Sequence, residues 1–257
     1  MQIKTDGLTI RELNVGENDR IITLLTREKG VVRASARGAR RVRISMLPSA
    51  QLLCYSNFTL FRSRDKYIID EAEPVEFFMG VRADLYRLTL AQYFAQVCAY
   101  CVPEEEPAGE ALRLILNALH LLQGGKKPPA LIKVAFEMRL LSISGFMPDL
   151  VACKGCGSYE EDVMYFFPRA GVLACPRCLD DPEFMRALPS RERCPLSKGA
   201  LAAMRHTVYA DFERLFSFTL PAPALGELAR ASERFLVTNM DRSFTALDFY
   251  HTLDGGA

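Results

Sequence analysis

The sequence predicts an α+β, multidomain chain: a small β barrel, then an α-helical body carrying an inserted cysteine module. Three observations predict it. Residues 1–79 alternate short apolar, β-branched runs with turn residues, from residue 80 onward the apolar spacing becomes helical, and two C-x-x-C pairs interrupt the helical part near residues 150–180. The expected division is therefore 1–79 and 80–257, with 150–180 as a module inside the second part.

The strand candidates cover residues 7–15, 21–26, 31–36, 51–61 and 67–69, punctuated by Gly16 to Asp19, Glu28 to Gly30 and Arg62 to Asp65. About five strands in so short a stretch make a sandwich or barrel, and their spacing alone does not choose between SH3-like and OB-like closure. Helices are expected at 81–102, 108–122 and 130–144. Pro103 to Pro107, Gly124 to Pro129, and Gly145 with Pro148 stop them. After the cysteines, one helix starts at the N-cap candidate Ser197 and runs to about 210, and another spans about 225–240.

At 257 residues the chain is long enough for two small domains, and its net charge of +1 gives no overall preference for acidic partners. No apolar run approaches the roughly 20 residues that span a bilayer, and the N-terminus lacks a signal-peptide pattern. A cytoplasmic chain is expected, in which cysteines are thiols or metal ligands rather than disulfides.

Cys153 and Cys156 form the first C-x-x-C pair, and Cys175 and Cys178 follow after eighteen residues. Each pair on a tight turn supplies two thiolates, and two pairs close a tetrahedron around zinc. Residues 163–167 and 172–174 read as a hairpin between them, making a zinc-ribbon-like module. Four sulfur ligands leave no open position, so one structural zinc is expected rather than a catalytic one. A redox C-x-x-C is the competing reading, and two pairs flanking a hairpin fit it poorly. Cys98, Cys101, Cys54 and Cys194 read as small buried apolar residues.

From Arg20 to Lys66 eleven basic residues face only Glu28 and Asp65, and the compensating acids follow at Asp70, Glu71, Glu73 and Glu76. The barrel segment is thus polarised. Arg33, Arg37, Arg40, Arg41 and Arg43 crowd one stretch around Gly38, with Lys29, Arg62 and Arg64 nearby. Such a loop suits phosphate contacts that give affinity without reading bases. Tyr55, Phe58, Phe61 and Tyr67 could stack on unpaired bases, although strand aromatics usually pack in cores. There is no phosphate-binding loop motif and no nucleophile elbow. His120, His206 and His251 lie far apart, so no residue set assembles an enzyme and no small-molecule substrate is expected.

Three stretches, in this order, resemble the RecO family of bacterial recombination and repair mediators. They are RASARGARR at 33–41 followed by LPSAQLL at 47–53, FEMRLLSISGFMP at 136–148, and CKGCG at 153–157 with CPRC at 175–178. The resemblance runs end to end. It implies an OB-fold, binding of single- and double-stranded DNA, strand annealing, and work with RecR to load RecA on DNA coated by single-strand-binding protein. It also implies contact with the acidic, apolar C-terminal tail of that coat protein, for which Lys133 and Arg139 are the candidate cations, and residence at the nucleoid. The rival expectation is a zinc-ribbon adaptor for acidic proteins that makes no DNA contact.

Overall fold

The computed structural model describes residues 2–15, 19–36, 49–63 and 66–254. It divides into two compact units, one made of residues 1–126 and 244–257, the other of residues 127–243.

In the first unit, β1 (Gln2–Val15), β2 (Asp19–Thr26), β3 (Gly30–Ala36), β4 (Tyr55–Ser63) and β5 (Lys66–Glu76) close into a barrel of order β1-β2-β3-β5-β4. Closure needs two unlike joints. β1 pairs antiparallel with β4 from Gln2↔Phe61 to Leu8↔Tyr55, and β3 pairs parallel with β5 at Ala34↔Tyr67 and Ser35↔Ile68. This is the OB-like barrel, and closing it removes the open sheet edges. Its core takes alternate residues from four strands, Ile22 and Leu24, Val32 and Ala34, Phe58 and Leu60, Tyr67 and Ile69, with Ile3 of β1 packed against them. β5 runs past the predicted 67–69, and Asp70, Glu71 and Glu73 stand exposed along it. An outward strand face tolerates such acids, which is why composition ended the strand too early.

Two helices follow instead of the one predicted at 81–102. α1 (Met79–Arg82) stops, and Asp84 starts α2 (Leu85–Cys101) by accepting the Arg87 N–H at 3.0 Å. α3 (Gly109–Gly124) completes this stretch. Between α2 and α3 the chain lies against the β2–β3 turn. Val31 N–H donates to the Pro103 carbonyl at 3.1 Å, Glu105 N–H to Lys29 at 3.0 Å, and Ala108 N–H to Arg27 at 2.9 Å. Gly30 permits the approach: it has φ +55°, and a Cβ there would sit 2.2 Å from the Pro103 carbonyl oxygen.

The second unit begins with α4 (Pro129–Ile143), then β6 (Asp149–Cys153), β7 (Val163–Phe167), β8 (Val172–Ala174), α5 (Pro176–Leu179), α6 (Pro182–Ala187), β9 (Cys194–Ser197), α7 (Lys198–Tyr209) and α8 (Ala222–Met240). The predicted hairpin is the middle of a four-stranded sheet of order β6-β8-β7-β9. Ser197 occupies the predicted cap position, but its hydroxyl donates to Glu227 at 2.7 Å rather than capping α7. Finally α9 (Thr245–Asp254) rejoins the first unit. Tyr250 meets Tyr86 hydroxyl to hydroxyl at 2.5 Å, and Phe244 packs edge-on to Tyr93 with ring centres 5.8 Å apart. Among the described residues, no helix is long and apolar enough to cross a membrane.

Candidate metal centre and nucleic-acid interface

The four paired cysteines converge. Cys153 ends β6, Cys156 sits in the turn after it, Cys175 precedes α5, and Cys178 lies within α5. Their sulfur atoms all lie within 4.8 Å of one another, and the Cys156 and Cys175 sulfurs are 3.6 Å apart. A tetrahedral shell with metal–sulfur bonds of about 2.3 Å has edges of about 3.8 Å, so the arrangement fits a single ion. Two glycines make the turn possible. Gly157 has φ +74°, and a Cβ at Gly155 would come within 2.8 Å of the Cys178 sulfur. Donors hold the sulfurs in place, among them the Cys175 N–H, 3.3 Å from the Cys153 sulfur.

Electrostatics distinguish Cys153 from the remaining cysteines. Burial opposes ionisation of Cys153, but backbone N–H groups around its sulfur outweigh that and bring its pKa down to about 7. Burial and the three neighbouring sulfurs push Cys178 upward. The opposite directions at Cys153 and Cys178 reflect sulfurs crowded into one shell, and a cation bound there would relieve their mutual repulsion. Cys101, by contrast, is pushed by burial up to about 12, and burial raises Cys98, Cys54 and Cys194 as well. Cys54 and Cys98 are buried, as expected, whereas Cys101 and Cys194 are half-buried. A redox pair would leave two cysteines to act alone, whereas here all four share one shell.

Of the basic residues predicted to touch phosphate, Arg37, Arg40, Arg41, Arg43 and Arg64 lie outside the described residues. Lys29 is half-buried at the β2–β3 turn, its N–H donating to the Thr26 hydroxyl at 3.2 Å. The acidic segment between α2 and α3 pairs with both Arg33 and Arg62. Arg33 reaches Glu104 at 3.1 Å, and Arg62 reaches Glu105 at 3.7 Å. The Tyr67 hydroxyl donates to Glu105 at 2.7 Å, and the Arg62 guanidinium lies 5.6 Å from the centre of the Tyr67 ring. Sequence reasoning treated Glu104 to Glu106 as a helix breaker. The available signal was three successive glutamates between prolines, downstream of a basic barrel.

The aromatics separate by position. Phe58 and Tyr67 are in the barrel core, Tyr55 donates to Asp6 at 2.7 Å, and Phe61 is 47 % exposed. In the second unit Lys133 is buried between Glu137 and Glu233, 2.8 Å from each. Burial opposes its charge, and the two carboxylates overcome this and hold its pKa above the ordinary value. Arg139 donates to the Thr207 carbonyl at 3.1 Å and also to the Ala210 carbonyl. Both cations therefore have partners inside the unit.

An OB-like barrel joined to a helical chain with a four-cysteine insertion defines a narrow class. Family models described as recombination protein O N terminal and recombination protein O C terminal match residues 1–78 and 82–248. The chain belongs to the RecO family. It is 38% identical over 253 residues to the DNA repair protein RecO of Acetivibrio thermocellus, covering 98% of this chain and 97% of that protein. It is also 34% identical over 251 residues to the DNA repair protein RecO of Symbiobacterium thermophilum, covering 96% of each.

Proposed function

We propose that this chain is a non-enzymatic DNA repair and recombination mediator of the cytoplasm and nucleoid. It binds single- and double-stranded DNA and anneals complementary strands. With RecR it helps load RecA on DNA coated by single-strand-binding protein, whose C-terminal tail it contacts. The observation that carries this reading is the match to proteins named DNA repair protein RecO along nearly the whole chain.

In this reading the basic barrel stretch, Lys29, Arg33, Arg37, Arg40, Arg41, Arg43, Arg62 and Arg64, neutralises phosphates on two strands. Lower repulsion lets complementary bases pair without hydrolysis. Cys153, Cys156, Cys175 and Cys178 hold one structural zinc ion; an all-sulfur shell suits zinc and leaves no position for a reacting water. When bound, the ion ties β6 to the segment around α5.

The test is titration of labelled oligonucleotides at two salt concentrations, followed by an annealing assay with and without single-strand-binding protein. Reversing the charges of Arg40, Arg41 and Arg43 together should weaken binding to every sequence and lower the salt slope by about 0.9 per lost duplex contact. Unchanged binding and annealing by that variant would refute the barrel mechanism. A wild-type chain that ignores DNA yet captures acidic peptides would establish the adaptor instead.

A further inference from the structure

We infer that a hollow beside the cysteine module is a second contact site for the DNA phosphodiester backbone. The inference rests on the proposed DNA-binding function, and it assigns part of that function to the second unit.

The hollow has a volume of about 450 Å³. Arg186, Arg191 and Arg193 line it, against a single acid, Asp180. Arg186 comes from the last turn of α6, and the other two come from the segment leading into β9. Two separate stretches of chain thus deliver guanidinium groups to one place. All three residues are exposed.

Some arginines of this unit carry counter-ions and others do not. Arg177 reaches Glu161 at 3.3 Å, Arg205 reaches Glu160 at 3.9 Å, and Arg234 reaches Glu192 at 3.2 Å. Among the described residues, none of the three around the hollow has a carboxylate partner. Arg186 uses only its Nε, on the Pro182 carbonyl at 3.0 Å, which leaves its two terminal nitrogens turned elsewhere. Arg193 lies over the Tyr165 ring, 5.8 Å from its centre. Glu192 stands between Arg191 and Arg193 in sequence and would neutralise them if it faced the hollow, but its carboxylate goes to Arg234. Asp181, the other nearby acid, caps α6 through the Glu183 and Phe184 N–H groups. Glu192 and Asp181 are thus engaged elsewhere, and Asp180 alone among the acids lines the hollow, against three guanidiniums.

Planar guanidiniums match phosphate oxygens with paired N–H donors. Leu179 and Met185 supply an apolar side to the same hollow, against which a sugar or base can rest. Volume, charge and lining together suit a nucleotide unit of a DNA strand. An acidic peptide offers the same charge, and the test distinguishes it.

The full-length chain with Arg186, Arg191 and Arg193 all changed to Gln is titrated with labelled single-stranded DNA over a salt series, beside the wild type. A parallel titration uses a labelled acidic peptide. Melting temperature and bound metal are measured first. The expected result is unchanged melting and metal content, a DNA affinity about tenfold lower, and a salt slope reduced by about 0.7 per lost single-strand contact. Restoring lysine at the three positions should recover the slope. Arg191→Gln alone is the second variant. Arg191 makes no hydrogen bond or ion pair among the described residues, so its loss cannot disturb folding by that route, and it should lower the slope by about one contact. Wild-type binding with unchanged affinity and slope in both variants overturns the site while leaving the DNA-binding function intact, whether or not peptide capture falls. A wild-type chain that fails to bind DNA overturns both.

Discussion

Arg33 and Arg62 on the barrel each reach a carboxylate of the segment that follows α2, whereas Arg186, Arg191 and Arg193 beside the four cysteines reach none. The barrel stretch is far denser in basic residues by sequence, yet its described arginines carry built-in counter-ions. The cysteine-bearing unit looks neutral by sequence, yet three of its guanidiniums are available. Formal charge along a chain and charge available to a ligand are different quantities. The difference is set by where the acids go, and only the folded arrangement decides that.

The two regions also differ in what holds them together, and this predicts the largest effect. The barrel closes through a continuous ladder around its own apolar core. The module is small, and in the proposed reading its four sulfurs hold it through a bound ion. Cys153→Ser should lower stability by more than about 3 kcal/mol, read as an earlier thermal transition with lost metal. DNA affinity should follow only as folding fails. A variant of normal stability that has lost DNA binding would move the module from a structural to a contact role.

An intermediate effect is expected in the barrel. Changing Glu104 and Glu105 to Gln keeps the backbone bonds of the segment between α2 and α3 and the Tyr67 acceptor but removes both competing charges. Exposed ion pairs are worth up to about 1 kcal/mol each, so DNA affinity should rise by about twofold to tenfold. An affinity that stays level or falls would mean that Arg33 and Arg62 serve the fold rather than the ligand.

The smallest effect concerns Asp6, which accepts from Arg27 at 2.7 Å and from Tyr55. Burial opposes its ionisation, and those two partners outweigh it and leave the carboxyl below its ordinary value. Because the folded-state pKa is the lower one, the stabilisation is present above the unfolded value near about pH 4 and disappears as pH falls through the folded one. Asp6→Asn should therefore be less stable than wild type at neutral pH by no more than about 1 kcal/mol, and the gap should close on acidification. Chemical unfolding at pH 7 and at about pH 3 measures it, and a gap that widens in acid would contradict the pairing.

Much of this architecture can be read from residue order. The barrel strands announce themselves by alternation, and Cys153, Cys156, Cys175 and Cys178 by spacing, because both signals are local. β6 and β9 escaped because each is a short strand that gains meaning only from neighbours far along the chain, Val172 for Asp149 and Met164 for Leu196. The α1–α2 break escaped because one aspartate, Asp84, capping a new helix resembles a polar residue on a continuous one. The ion pairs of Glu104 and Glu105 link positions more than forty residues distant from Arg62 and seventy from Arg33, and nothing in their own segment names those partners.

The return of α9 to the first unit has a consequence for how the protein is made. Residues 127–243 form a continuous stretch, so the whole of the second unit has been synthesised before Phe244 emerges. The first unit cannot finish then, although its barrel was synthesised earlier. Tyr86 and Tyr93 must wait for Phe244 and Tyr250, some 150 residues later in translation. The first unit, begun first, is therefore the last to have all its residues. During that interval, Tyr86 and Tyr93 on α2 stand without the partners that α9 and Phe244 later supply.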